Sequence, residues 1–190
     1  MNVKKIVIFA SGSGTNAENI IRYFADSELV KIDSLWSNNL NAYALKRAET
    51  KNVETFVFSK EDLYQSEKLL DEFKKREIDL IVLAGFLWLI PDYLTQNFTI
   101  INIHPALLPK YGGKGMYGMN VHKAVVNNKE AETGISIHYV NDKYDDGQII
   151  FQAKCEVLEN DTPEDVAKKV HELEYNYFPG VIEKVILKSD

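Results

Sequence analysis

The sequence predicts an α/β protein: a doubly wound, mostly parallel sheet with an antiparallel C-terminal addition. Three observations carry that prediction. Ile6-Val7-Ile8-Phe9-Ala10 and Leu80-Ile81-Val82-Leu83-Ala84 are short continuous apolar runs, the pattern of strands buried on both faces of a parallel sheet. Segments with apolar residues at helical spacing lie between such runs, and parallel strands need crossover connections of that kind. From Ile135 onward the pattern changes to single alternation, Ile135, Ile137 and Tyr139 against Ser136 and His138, as antiparallel strands show.

Taken in order, the first strand runs into the loop Ser11-Gly12-Ser13-Gly14-Thr15-Asn16, and a helix follows with Ile20, Ile21 and Phe24 on its inner face. A strand around Val30 to Trp36 comes next. Leu63, Leu69, Leu70 and Phe73 recur at helical spacing within Lys60 to Arg76, which predicts one amphipathic crossover helix. The first half therefore reads β-α-β-α-β-α-β. Ile101-Asn102-Ile103-His104 is a further strand, stopped at Pro105. Ile149 to Ala153 should pair with the Ile135 segment. Thr162-Pro163-Glu164-Asp165 supplies an N-cap, a proline at the first helical position and early acids, so it opens a helix with Val166, Val170 and Leu173 inward. Pro179-Gly180 should kink or interrupt that helix.

At 190 residues and 45% hydrophobic content the chain can bury one substantial core but not two typical ones, and a single domain over 1–190 is expected. A net charge of -6 and a pI near 5.3 argue against nucleic acid, whose phosphate-tracking surfaces are basic. Cys155 is the one cysteine, so no intrachain disulfide forms. Lys4 and Lys5 precede too short an apolar stretch for an export signal, and no run approaches the ~20 residues of a membrane span. A cytoplasmic protein that does not engage membranes is expected. His104, His122, His138 and His171 show no metal-ligand spacing, and no metal is expected.

The chemistry concentrates at the ends of the strands. Residues i and i+2 of a strand share a face, so Asn102 and His104 can address one atom together: an amide donor beside a titratable imidazole. Farther on, Tyr144-Asp145-Asp146-Gly147-Gln148 places carboxylates on a turn. A carboxylate near His104 would orient its ring and raise its pKa. The Ser11–Asn16 loop lets backbone N–H groups and a helix N-terminus face an anion such as phosphate. Its Gly12-x-Gly14 lacks both the third glycine of a dinucleotide fingerprint and the Lys-Ser/Thr ending of a P-loop, so by itself it is equally a tight turn. His122 opens a helix and either supports the preceding loop or binds substrate, while His138 reads as structural.

Together, the glycine loop after the first strand, Leu83-Ala84-Gly85-Phe86, Asn102-Ile103-His104-Pro105 with Leu107-Leu108-Pro109, and Asp145-x-Gly147 resemble the folate-dependent formyltransferases, over nearly the whole chain. The resemblance implies a Rossmann-like formyltransferase fold. It implies transfer of a formyl group from 10-formyltetrahydrofolate, the co-substrate, to the amine of phosphoribosylglycinamide, a step of purine biosynthesis. It further implies that Asn102 and His104 stabilise the tetrahedral intermediate while Asp145 holds His104 and keeps its pKa up. Gly14, Thr15 and Asn16 would meet the phosphoribosyl substrate, with Glu174 reaching its ribose and His171 in the same site. The reduced folate would lie along Leu87, Trp88, Leu89 and Ile90, beside Asn102, and against Val140, Asn141, Asp142, Lys143 and Tyr144, with Lys60 near its glutamate tail. A homodimer is compatible with the sequence, which does not itself fix the oligomeric state.

Two stretches depart from the family pattern. Tyr111 to Asn120 is longer and richer in glycine, which suggests a mobile flap or a loop tip without a catalytic part. Asp146 and Gln148 stand where Gly or Thr, and then Pro, are common, so Asp146 competes with Asp145 for the place beside His104. The alternatives are a sugar-nucleotide or other amine formyltransferase, and a non-catalytic phospho-ligand binder on the same fold.

Overall fold

The computed structural model describes residues 2–188. Seven strands among them form one sheet: β1 (Lys4–Phe9), β2 (Val30–Ser37), β3 (Glu54–Val57), β4 (Leu80–Leu83), β5 (Thr99–His104), β6 (Glu132–Tyr139) and β7 (Ile149–Glu156). The order is β3-β2-β1-β4-β5-β6-β7, with β1 to β5 parallel and β5–β6 and β6–β7 antiparallel. The predicted parallel sheet with an antiparallel addition is the architecture found. Its strand order reverses direction between β1 and β4, which opens a crevice at their carboxyl ends.

The continuous apolar runs are explained by two layers of core. Ile6 and Ile8 pack on one face with Val82, Ile101, Ile103 and Ile135, under α1 (Thr15–Tyr23), α2 (Tyr43–Glu49), α6 (Met119–Asn127) and α7 (Pro163–Leu187). Val7 and Phe9 pack on the other with Ile81, Leu83, Trp36, Phe58 and Phe73, beneath α3 (Lys60–Tyr64) and α4 (Lys68–Arg76); α5 (Asp92–Thr95) adds Leu94. A residue on either parity of β1 therefore enters a core, and only apolar side chains suit both.

Two predicted elements differ. The helix expected over Lys60 to Arg76 is two, and where the first ends the Ser66 hydroxyl donates to the Asp62 carbonyl (3.1 Å). A capping box of Ser59 with Asp62 starts the first piece. Conversely, α7 runs unbroken through Pro179. Proline has no N–H to give the carbonyl four residues earlier, that of Tyr175, and Asn19 Nδ2 of α1 supplies that donor instead at 3.0 Å. The Thr162–Asp165 capping box and Pro163 begin α7 as the sequence predicts. Among the described residues no helix is long and apolar enough to cross a membrane.

Candidate active site

The crevice is floored by three strand ends. After β1, Ser11 N–H donates to the Gly85 carbonyl (3.0 Å), and the Ser11 hydroxyl accepts from Leu87 N–H (3.1 Å), so the loops after β1 and β4 are tied together. After β5, the chain is held by Ser136 of β6: its hydroxyl donates to the Ala106 carbonyl (2.7 Å) and accepts from Leu108 N–H (2.9 Å). Ser136 and Ser11 are buried, and neither hydroxyl was anticipated from the sequence.

Antiparallel register sets the chemistry of this floor. Asn102 lies opposite His138 and His104 opposite Ser136, so four polar side chains share the face away from Ile101, Ile103, Ile135 and Ile137. Asn102 Nδ2 stands 3.1 Å from His138 Nε2, and His138 Nδ1 is 2.8 Å from the Tyr139 carbonyl. A carbonyl only accepts, so Nδ1 carries the proton and Nε2 accepts from the Asn102 amide, fixing its orientation. His138 is therefore brought beside Asn102 and Asp145, where it holds the Asn102 amide. Its place depends on the β5–β6 register; the alternation of Ser136 and His138, set against that of Asn102 and His104, was the available signal.

Asp145 approaches from the β6–β7 turn. Its Oδ1 is 3.5 Å from both His104 Nδ1 and Asn102 Nδ2 and 3.7 Å from His138 Nε2, while Oδ2 accepts from Gly113 N–H at 2.9 Å. Asp145 has φ +53°, a left-handed conformation uncommon for a non-glycine residue, and the turn leaves no room for a side chain at Gly147, whose Cβ would fall 1.7 Å from the Tyr139 carbonyl oxygen. Asp146 does not compete: it is exposed and engages Asn141 and Lys143.

The Tyr111–Asn120 stretch is more than a tip. The Tyr111 carbonyl faces His104 Nε2 at 2.7 Å, so that nitrogen carries a proton, and Gly113 N–H is the donor to Asp145. His104 therefore presents Nδ1 to a carboxylate, and protonation of Nδ1 would turn that approach into an attraction. Burial is the larger influence: it pushes the His104 pKa below the usual imidazole range, against the opposing pull of Asp145 and the Tyr111 carbonyl. The expectation of a raised pKa is thus corrected in its net sign, although Asp145 acts in the direction expected. Burial would raise Asp145, but His138, His104 and Gly113 N–H together hold it below the ordinary carboxylate range.

The glycine loop forms the second part of the crevice. Gly14 precedes α1 at φ +74°, and a Cβ there would lie 2.4 Å from the Ala44 Cβ of α2, so glycine is required both for conformation and for space. Helix α2 grips the loop: Ala44 N–H donates to the Gly12 carbonyl (3.1 Å) and Arg47 Nε to that of Ser13 (2.9 Å), with the Arg47 guanidinium paired to Glu18. Asn16 Nδ2 reaches across to Glu174 Oε2 of α7 (2.9 Å), which is also 2.7 Å from His171 Nδ1. Asn16, His171 and Glu174 are thereby brought together beside Gly14 and Thr15. Glu174 raises the His171 pKa.

The third part is a wall on the second core. Trp88 packs against Phe58 and Phe86, with Lys60 Nζ 5.5 Å above its ring; Leu87 is exposed, and the Leu89 carbonyl accepts from Tyr64 Oη (2.8 Å). Ile90 is buried, so its side chain serves the core rather than the open wall. Val140 packs on the same core, and Asn141 Oδ1 accepts from Lys143 N–H (3.0 Å) to shape the turn that exposes Asp142, Lys143 and Tyr144.

A fixed amide donor and a buried histidine–carboxylate pair, between an apolar wall and an anion-ready helix N-terminus, suit the joining of a small acyl group to an amine. A model described as "Formyl transferase" matches residues 4–182, and the chain belongs to the formyl transferase family. The relatives are specific in name. The chain is 38% identical over 187 residues to the chloroplastic phosphoribosylglycinamide formyltransferase of Arabidopsis thaliana, covering 94% of this chain but 64% of that protein. It is 35% identical to the phosphoribosylglycinamide formyltransferase of Haemophilus influenzae, over 95% of this chain and 86% of that one. The crystal structure of the enzyme of that name from Anaplasma phagocytophilum superposes with a TM-score of 0.87 at 30% identity, over 98% and 89% of the two chains.

Proposed function

We propose that this enzyme transfers the formyl group of 10-formyltetrahydrofolate to the amine of phosphoribosylglycinamide, the purine-biosynthetic reaction its relatives are named for. The observation that carries the reading is the convergence of Asn102, His104, His138 and Asp145 at the end of β5, in a chain of which 95% aligns with the Haemophilus influenzae relative. In the reaction, the amine nitrogen bonds to the formyl carbon and the carbonyl electron pair moves onto oxygen. Asn102 Nδ2 and the Nδ1–H that His104 carries once protonated, which stands a long 3.5 Å from Asp145, donate to that oxyanion, each such donor being worth roughly 3 kcal/mol in a dry site. The amine's proton is then passed to the folate nitrogen, the oxyanion's electron pair re-forms the carbonyl as the bond from carbon to that nitrogen breaks, and the nitrogen leaves as N–H; Asp145 holds the charge of His104 throughout.

The phosphate of the acceptor rests on the N–H groups of Gly14, Thr15 and Asn16, where α1 begins, and Glu174 with His171 takes the ribose. The folate lies between Leu87–Leu89 and the Val140–Tyr144 turn, with Lys60 toward its glutamate tail. The test is spectroscopic loss of the formyl group from 10-formyltetrahydrofolate with and without phosphoribosylglycinamide. Turnover that requires the amine is the expected result. Turnover without it would mean hydrolysis, and turnover only with another amine, such as an amino-sugar nucleotide, would reassign the acceptor.

A further inference from the structure

One buried histidine is left unused by that reading. His122 is 2% exposed on α6, and its Nδ1 has no hydrogen-bond partner. A second unpartnered buried atom lies on the same cluster: Asn16 Oδ1, whose own Nδ2 is bonded to Glu174. The His122 ring meets the ring of His171 edge-on, with centroids 6.4 Å apart, and His171 is bonded to Glu174. Three distant parts of the chain, α1, α6 and α7, thus meet at the His171–Glu174 pair, and α1 and α6 each bring one unspent polar atom.

Such atoms are expensive to bury, since each forfeits its bond to water, and most buried polar groups are paired. Asn16 is bonded to Glu174 and the His122 ring touches that of His171, so a bound molecule carrying hydroxyl groups at the His171–Glu174 pair would satisfy both atoms. That molecule must offer a hydrogen to Asn16 Oδ1, which can only accept, and a hydroxyl to a neutral imidazole, which can give or take one bond at Nδ1. Adjacent sugar hydroxyls do both. Burial first, and then the neighbouring His171, keep His122 uncharged at neutral pH, with a pKa of about 4, so it does not draw Glu174 away from Asn16 and His171.

We propose that His122 is a specificity-determining contact for the ribose hydroxyls of the acceptor, completing the set formed by Glu174 and His171 with the Asn16 side chain. This rests on the acceptor being phosphoribosylglycinamide. His122 then makes the enzyme tell a ribosyl acceptor from one lacking a hydroxyl, because a site built to bond a hydroxyl leaves its own polar atom unpaired with the deoxy analogue.

The experiment compares kcat/KM for the ribosyl acceptor and its 2-deoxy and 3-deoxy analogues in the wild-type enzyme, His122→Asn and His122→Phe, with the KM for 10-formyltetrahydrofolate measured alongside. The expected result is a preference for the ribosyl acceptor that falls about tenfold in the variants through acceptor KM, with donor KM unchanged. The His122 imidazole nitrogens are also followed by NMR in the wild-type protein as the acceptor saturates, so that a variant that folds poorly does not decide the matter; a shifted Nδ1 resonance is expected. An unchanged preference in folded variants, or an unmoved Nδ1 resonance at saturation, would overturn the role of His122 while wild-type turnover leaves the reaction standing. Absence of wild-type turnover with phosphoribosylglycinamide would overturn the acceptor assignment and this inference with it.

Discussion

His104 sits between two opposed influences. Burial favours its neutral form and outweighs Asp145, which favours the cation. If the imidazolium is the donor to the oxyanion, as proposed, kcat/KM should fall as pH rises through a value below the 6.5 of unperturbed histidine. Asp145→Asn removes the favourable charge and should move that limb to still lower pH; a wild-type limb above 6.5 in the pH profile would contradict the assignment. His104→Ala should cost at least ~100-fold in kcat with little change in acceptor affinity, as steady-state kinetics with a binding titration would show. Gly14→Val has a different signature: its side chain would collide with Ala44, so the loop must shift and the acceptor KM should rise much more than kcat falls. The Asn102–His104 pair was legible because strand periodicity alone puts i and i+2 on one face. His138 was not, because a one-residue change of register on β6 would have turned it away.

At the scale of elements, helix α7 links fold to site. It carries Glu174 and His171 and spans Pro163–Leu187 without interruption. Proline normally ends such a helix, and the local sequence gave no sign that a side chain from α1 would replace the missing amide. That is a tertiary contact, 156 residues apart in sequence, and no window of neighbouring residues contains it. The N-terminal end was fully legible, since the Thr162 cap is local chemistry. Thr162→Ala should lower stability by about 1 kcal/mol in denaturant titration, and because the cap lies more than two turns before His171, activity of the folded protein should persist. The split between α3 and α4 follows the same division: hydrophobic spacing located both pieces, but periodicity is blind to side-chain bonds such as that of the Ser66 hydroxyl to the Asp62 carbonyl at the break.

The whole molecule places its chemistry where strand order reverses. Continuous apolar runs predicted the parallel sheet, and Asn102, His104 and the glycine loop lie at its carboxyl ends. The route of Tyr111–Asn120 back onto His104 and Asp145 was not readable, because it is set by two backbone groups, a carbonyl and an N–H, that every residue type possesses. Buried His122 also makes a global prediction. The unfolded chain takes up its proton near pH 6.5 and the folded chain only near 4, so stability is lost as pH falls through that window, by up to about 3 kcal/mol. The His171–Glu174 pair acts in the opposite sense, stabilising while His171 stays protonated and weakening as pH rises. His122→Phe should therefore flatten the acid side of a stability-against-pH curve measured by denaturant unfolding, and an unaltered slope would show that His122 protonates freely.

The central claim, that Asn102, His104 and Asp145 form a working formyl-transfer centre, is tested most directly by Asp145→Asn in the formyl-loss assay with phosphoribosylglycinamide present. The substitution keeps the shape and removes the charge. Turnover should collapse by at least ~100-fold while the folded protein still binds both substrates. Turnover equal to the wild type would contradict the claim.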